Sequence, residues 1–152
     1  MSEPKRKYGG YLIAEGDQFD IIAAINSNGN SPFMDYFTEL KATMEKKLGQ
    51  VSKKHKSVLD YKTLDYYFNR FSKTGKWNNK KQINSLKDGF WEFKNVDTGL
   101  RVPFYYDELN RSVIVLTHYF EKESQKTKPG EITRMKQIRT EFQEYRRRRG
   151  HE

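Results

Sequence analysis

No cysteine occurs among the 152 residues, which excludes disulfides, thiolate metal centres and a cysteine nucleophile. Aliphatic side chains are scarce too. Hydrophobic residues make up 35% of the chain and aromatics alone reach 14%, so rings must supply much of any buried area. No apolar run approaches the roughly 20 residues that cross a bilayer. Residues 1–8 are basic but lack the apolar block of a secretory signal. A Gly-rich phosphate loop, a nucleophile elbow, a kinase signature and a spaced-histidine metal set are all missing. The expectation is a soluble cytoplasmic protein with no cofactor, no metal and no membrane partner.

Positive charge is what the chain has in excess. The formal net charge is +9, and it is unevenly spread. Residues 31–89 carry 13 basic against 6 acidic side chains and residues 122–152 carry 10 against 5, whereas residues 90–121 are slightly acidic. Basic segments flanking a neutral-to-acidic centre favour a polyanionic partner, RNA or the ribosome, through counterion release. Solvated helix faces are the plainer alternative for the same charges.

The length fits one domain. Residues 1–10 read as a flexible basic arm, 11–145 as the domain and 146–152 as a basic C-terminal tail. Strands are expected over 11–15 and 19–25 around Gly16-Asp17. Ser31 caps a helix opening on Pro32, with Phe33, Phe37, Leu40, Met44 and Leu48 on one face. A second helix over 57–72 carries Leu64, Tyr67, Phe68 and Phe71. Strands near 90–95, 100–106 and 112–120 are joined by short turns, which implies antiparallel neighbours. Pro103 lacks a backbone donor and calls for an edge, a bulge or a break. A last helix starts near Pro129 with Ile132, Met135, Ile138, Phe142 and Tyr145 on one face.

Metal-independent RNA cleavage requires a group that takes the 2′-hydroxyl proton, cations for the phosphorane and an acid for the leaving oxygen. Alternation in the 100–106 strand puts Leu100, Val102, Phe104 and Tyr106 on one side and Arg101, Pro103 and Tyr105 on the other. Arg101 offers a planar charged fork for phosphate, or alternatively a salt bridge to Glu92 or Asp107. His118 titrates near working pH, and its alternative is a half-buried hydrogen-bonded histidine. Lys80, Lys81 and Lys87 precede the sheet and Lys122, Lys126 and Lys128 follow it, so both groups are candidates for cradling a backbone. Tyr105 and Tyr119 are candidates for stacking on bases.

Four stretches share their wording with one family: Ser31-Pro32-Phe33 through Leu40, Leu86 through Phe93, Arg101 through Phe104, and Val115 through Pro129. Together they resemble the RelE/ParE toxin superfamily, in particular the phage-derived HigB-like branch of type II toxin-antitoxin systems. The resemblance spans roughly residues 18–145. It implies an α+β, RelE-like fold, an antiparallel sheet with an N-terminal helical hairpin and a C-terminal helix. It also implies ribosome-dependent mRNA cleavage and a cognate antitoxin of helix-turn-helix type. By the same resemblance Arg101 binds the scissile phosphate, His118 is the late-strand histidine, Lys87 precedes the sheet and Lys122 is the first of two paired lysines. The chain departs from the pattern at Glu123, Phe93 and Pro103 and in a longer helical hairpin. Two alternatives remain: a ParE-like toxin that binds a topoisomerase, and a noncatalytic RNA- or ribosome-binding derivative.

Overall fold

The computed structural model describes residues 5–46, 56–75, 79–122 and 128–149. Three strands come first: β1 (Arg6–Lys7), β2 (Gly10–Glu15) and β3 (Asp20–Ala23). Helices α1 (Pro32–Lys46) and α2 (Lys56–Thr74) follow. The chain then runs through β4 (Ile83–Ser85), β5 (Phe90–Asn95), β6 (Leu100–Tyr106), β7 (Val113–Leu116) and β8 (Phe120–Glu121) before α3 (Pro129–Arg149).

The sheet order is β1-β2-β3-β7-β6-β5-β4, with β8 paired to β6. Strands β3 and β7 run parallel, Asp20 opposite Val113 and Ala23 opposite Leu116. The expected wholly antiparallel sheet with a helical hairpin at its N-terminus is therefore overturned: the sheet is mixed, and both hairpin helices come after three strands. Short turns dictate antiparallel pairing only between sequence neighbours. The connection from β3 to β7 passes through two helices and three strands, and a crossover of that length permits a parallel pair. Residues 6–10, expected as a loose arm, enter the sheet through the pairs Arg6 with Tyr11 and Lys7 with Gly10.

Alternation along the strands builds a core on each face. On one side α1 and α2 cover Ile21, Phe93, Leu100, Val102, Phe104, Ile114 and Leu116. Ser31 Oγ accepts the Met34 amide at 3.3 Å as the N-cap of α1, and Leu64, Tyr67, Phe68 and Phe71 form the buried stripe of α2. Each large apolar side chain so buried contributes about 1.5–3 kcal/mol relative to exposure. On the other side Met135, Ile138, Phe142 and Tyr145 of α3 pack on Ile22, Phe90, Tyr105, Val113 and Val115. The last turn of α3 runs through Arg149, so the arginines begin as helix, and Arg146 is buried.

Pro103 sits inside β6 at no cost to the ladder. Its carbonyl accepts from Thr117 at 3.0 Å, so its missing donor faces the point where β7 has ended and β8 has not begun.

Candidate functional site

Helix α3 covers only part of its face of the sheet. Beyond Phe90 and Tyr105 the same face continues as Asn84 on β4, Glu92 and Lys94 on β5 and Arg101 on β6, the register placing Asn84 opposite Glu92 and Lys94 opposite Arg101. Arg101 in turn lies opposite Phe120 of β8, which puts Lys122 one pleat further along on the same side. A hollow of about 770 Å³ opens here. Its walls include Asn84, Lys87, Glu92 and Lys122 from the sheet side, and Ile132 and Lys136 from the first turns of α3.

Glu92 is the centre of this face. The residue is 1% exposed, and its Oε1 has no hydrogen-bond partner. Asn84 Oδ1 and Arg101 Nε are likewise buried without a partner, while Arg101 Nη1 donates to the Leu100 carbonyl at 2.9 Å. Three unpaired polar atoms on one sheet face, two of them from residues lining the hollow, are unusual in a folded chain, where such groups are nearly always bonded. Burial pushes the Glu92 carboxyl above its ordinary range, opposed by the charges of Lys122, Arg101 and Lys94 and by the Asn84 amide. Lys122 is displaced downward, by desolvation first and by Arg101 and Lys94, with Glu92 acting against the shift. A carboxyl raised and an amine lowered beside one cavity is a pattern enriched at functional sites.

The rim is held by a short 3-10 turn, Lys87–Gly89, in which Asp88 adopts φ 60° and Gly89 φ 82°. A left-handed aspartate is uncommon and needs outside support. Helix α3 supplies it: Lys136 Nζ lies 2.7 Å from Asp88 Oδ2, and Arg139 Nη1 donates to the Asp88 carbonyl at 3.2 Å. Lys136 accordingly holds the Asp88 carboxyl below its usual range. Lys87 is thereby fixed at the hollow's edge.

Of the residues singled out from sequence, Arg101, Lys87 and Lys122 share this face. His118 does not line the hollow. It is 1% exposed, its Nδ1 is 3.0 Å from Thr117 Oγ1 and its Nε2 is 3.1 Å from Glu131 Oε1. Desolvation lowers its pKa, with Glu131 opposing, so the neutral ring is favoured where a proton carrier was expected. Tyr105 shares the face but not the hollow: its ring is edge-on to Phe90 under α3 and has no free face for a base there. Tyr119 points to the other side of the sheet, stacked on Tyr36 with centroids 3.8 Å apart. Lys81 lines a separate cleft with Tyr66 and Tyr67 of α2, and Lys80 is exposed in the same turn. Lys128 is exposed just before Pro129 at the mouth, and Lys126 and Glu123 lie outside the described residues.

Sequence reading assigned Glu92 only as a possible partner for Arg101. The signal that marks it out was available: an acid at an inward position of a strand rich in aromatics, on the same pleat side as Arg101. None of the described helices is long and apolar enough to cross a membrane. No protein-family model matches the chain, and no curated protein matches it either.

Proposed function

We propose that the chain is a metal-independent endoribonuclease of the toxin type, cutting mRNA on the ribosome at the Glu92 hollow and silenced by an antitoxin that covers this basic face. One observation carries the reading: a buried carboxyl with an unpartnered oxygen at the wall of the hollow, under the charges of Lys122, Arg101 and Lys94 without closing an ion pair on any of them. The toxin class rests on the wording of the Leu86–Phe93 and Val115–Pro129 stretches. The chemistry rests on the hollow.

In this reading Glu92, when ionised, takes the proton of the 2′-hydroxyl, and its raised pKa makes it a stronger base than an ordinary carboxylate. The 2′-oxygen forms a bond to phosphorus as the P–O5′ bond breaks. Arg101 and Lys94 offset charge on the non-bridging oxygens. Lys122, whose lowered pKa eases proton release, donates to the departing 5′-oxygen. The products are a 2′,3′-cyclic phosphate and a 5′-hydroxyl, with atoms and protons balanced. Glu92 thus takes the proton role that His118 was expected to fill.

The test maps cleavage on a defined mRNA in a purified translation system, with Arg101→Ala as the control. New 5′-hydroxyl ends with the natural protein and none with the variant support the reading. Equal cutting by both, or salt-sensitive RNA binding with no cutting, overturns it, the second outcome selecting a noncatalytic binder.

A further inference from the structure

A second cavity of about 360 Å³ opens on the other side of the Lys87–Gly89 turn, where β5 starts and β6 ends. Trp91, Tyr106, Glu108, Arg111 and Arg139 line it, together with Tyr105. Tyr105 is 3% exposed, and its hydroxyl is buried without a hydrogen-bond partner, facing the charges of Asp107, Glu108, Arg139 and Arg146. Asp107 is already committed, both carboxylate oxygens bonded to Arg146 at 2.9 and 3.1 Å. Glu108 is exposed and enters no such pair among the described residues. Arg139 lies over the Phe90 ring at 4.5 Å, which holds its guanidinium at the cavity wall.

We infer that this cavity is a base-recognition pocket that takes guanine from the nucleotide flanking the cut, an inference that rests on the Glu92 hollow being the RNA site. Guanine is the base whose Watson–Crick edge presents two adjacent N–H donors, a match for the Glu108 carboxylate. Its O6 and N7 acceptors match a guanidinium, here Arg111 or Arg139. The Tyr105 hydroxyl supplies one more polar contact at the pocket floor, and Trp91 offers an aromatic surface of the kind on which unpaired bases stack. Position agrees with chemistry. Gly89 lies three residues from Glu92, about 10 Å along an extended chain, which is on the scale of one to two nucleotides. Because Trp91 lies on the opposite face of β5 from Glu92, the RNA strand would pass round the sheet edge at the start of β5.

The pocket is read without any cleavage assay, by the fluorescence of Trp91. Trp77→Phe leaves Trp91 as the sole indole, and the full chain is titrated with GMP, AMP, CMP and UMP. The expected result is quenching by GMP with an affinity roughly tenfold or more above the other three, and loss of that preference in Glu108→Ala, an exposed position whose replacement leaves the core untouched. Equal response to all four nucleotides, no response to any, or a preference that survives Glu108→Ala overturns the pocket. Arg101→Ala separates the two sites: guanine preference kept in a protein that no longer cuts RNA supports an independent base pocket, and a preference lost with Arg101 overturns it. Failure of cleavage alone, with guanine preference intact, counts against the Glu92 chemistry and not against the pocket.

Discussion

Two of the acids withdrawn from solvent, Asp107 and Glu92, behave in opposite ways. Asp107, at the end of β6, is 4% exposed and closes a two-bond clamp on the equally buried Arg146, tying α3 to the sheet. Glu92, one strand over and 1% exposed, has three cations near it and closes on none, leaving Oε1 buried without a hydrogen-bond partner at the wall of a cavity. A closed pair fixes geometry at the expense of reactivity. An open one keeps a carboxyl in an unfavourable state that a ligand can relieve. The same residue class is therefore paired at one end of the face and left unpaired at the other.

The sharpest way to break this contrast is to cut each acid in turn. Asp107→Ala strands the buried Arg146 charge, and urea unfolding is expected to show a loss of about 3–5 kcal/mol. Glu92→Gln is expected to do the reverse, lowering RNA cleavage about 10²–10⁴-fold while stability holds or rises. The sign follows from the pKa. Because folding raises the Glu92 value, its contribution to stability is complete below the ordinary glutamate range and is lost as pH rises through the folded value. Gln removes that loss, so the variant's advantage in urea midpoint is expected to grow as pH rises above the ordinary glutamate range. In the natural protein, cleavage is expected to rise as Glu92 ionises and to fall as Lys122 deprotonates below the usual lysine range, giving a bell.

Smaller effects refine the comparison. Removing one cation, Arg101→Ala or Lys122→Ala, is expected to weaken RNA binding about tenfold and to reduce the salt slope by about one, read from binding isotherms at several salt concentrations. His118→Gln is expected to change cleavage by less than about twofold, since the imidazole is enclosed by Thr117 and Glu131. Its signature lies in acid stability. Folding lowers the His118 pKa, so the natural protein loses stability as pH drops through the ordinary imidazole range, and the variant lacks that loss.

Periodicity made much of this legible beforehand. The described part of the α1 stripe, the stripes of α2 and α3 and the two sides of β6 follow from spacing alone, because one residue of slip would move every side chain of Leu100–Tyr106 to the opposite face. Only Leu48 of the expected stripes lies outside the described residues. What spacing does not encode is which distant strands meet. The parallel pairing of β3 with β7 joins residues some ninety positions apart and depends on the α1–α2 pair filling one face of the sheet. His118 misled for a related reason: titration near neutral pH is a property of the free side chain, and Glu131, from the first turn of α3, enclosed it. Glu92 was overlooked because an acid beside an arginine reads first as an ion pair. Only the third dimension shows that the pair is left open.

The most direct measurement is the titration of the Glu92 carboxyl by carbon NMR, with and without a 2′-deoxy dinucleotide that carries one phosphodiester and cannot be cut. The predicted midpoint lies above the ordinary glutamate range and climbs further when the anion is added, since a second negative charge nearby opposes ionisation. An ordinary midpoint indifferent to the dinucleotide contradicts a phosphate site at Glu92.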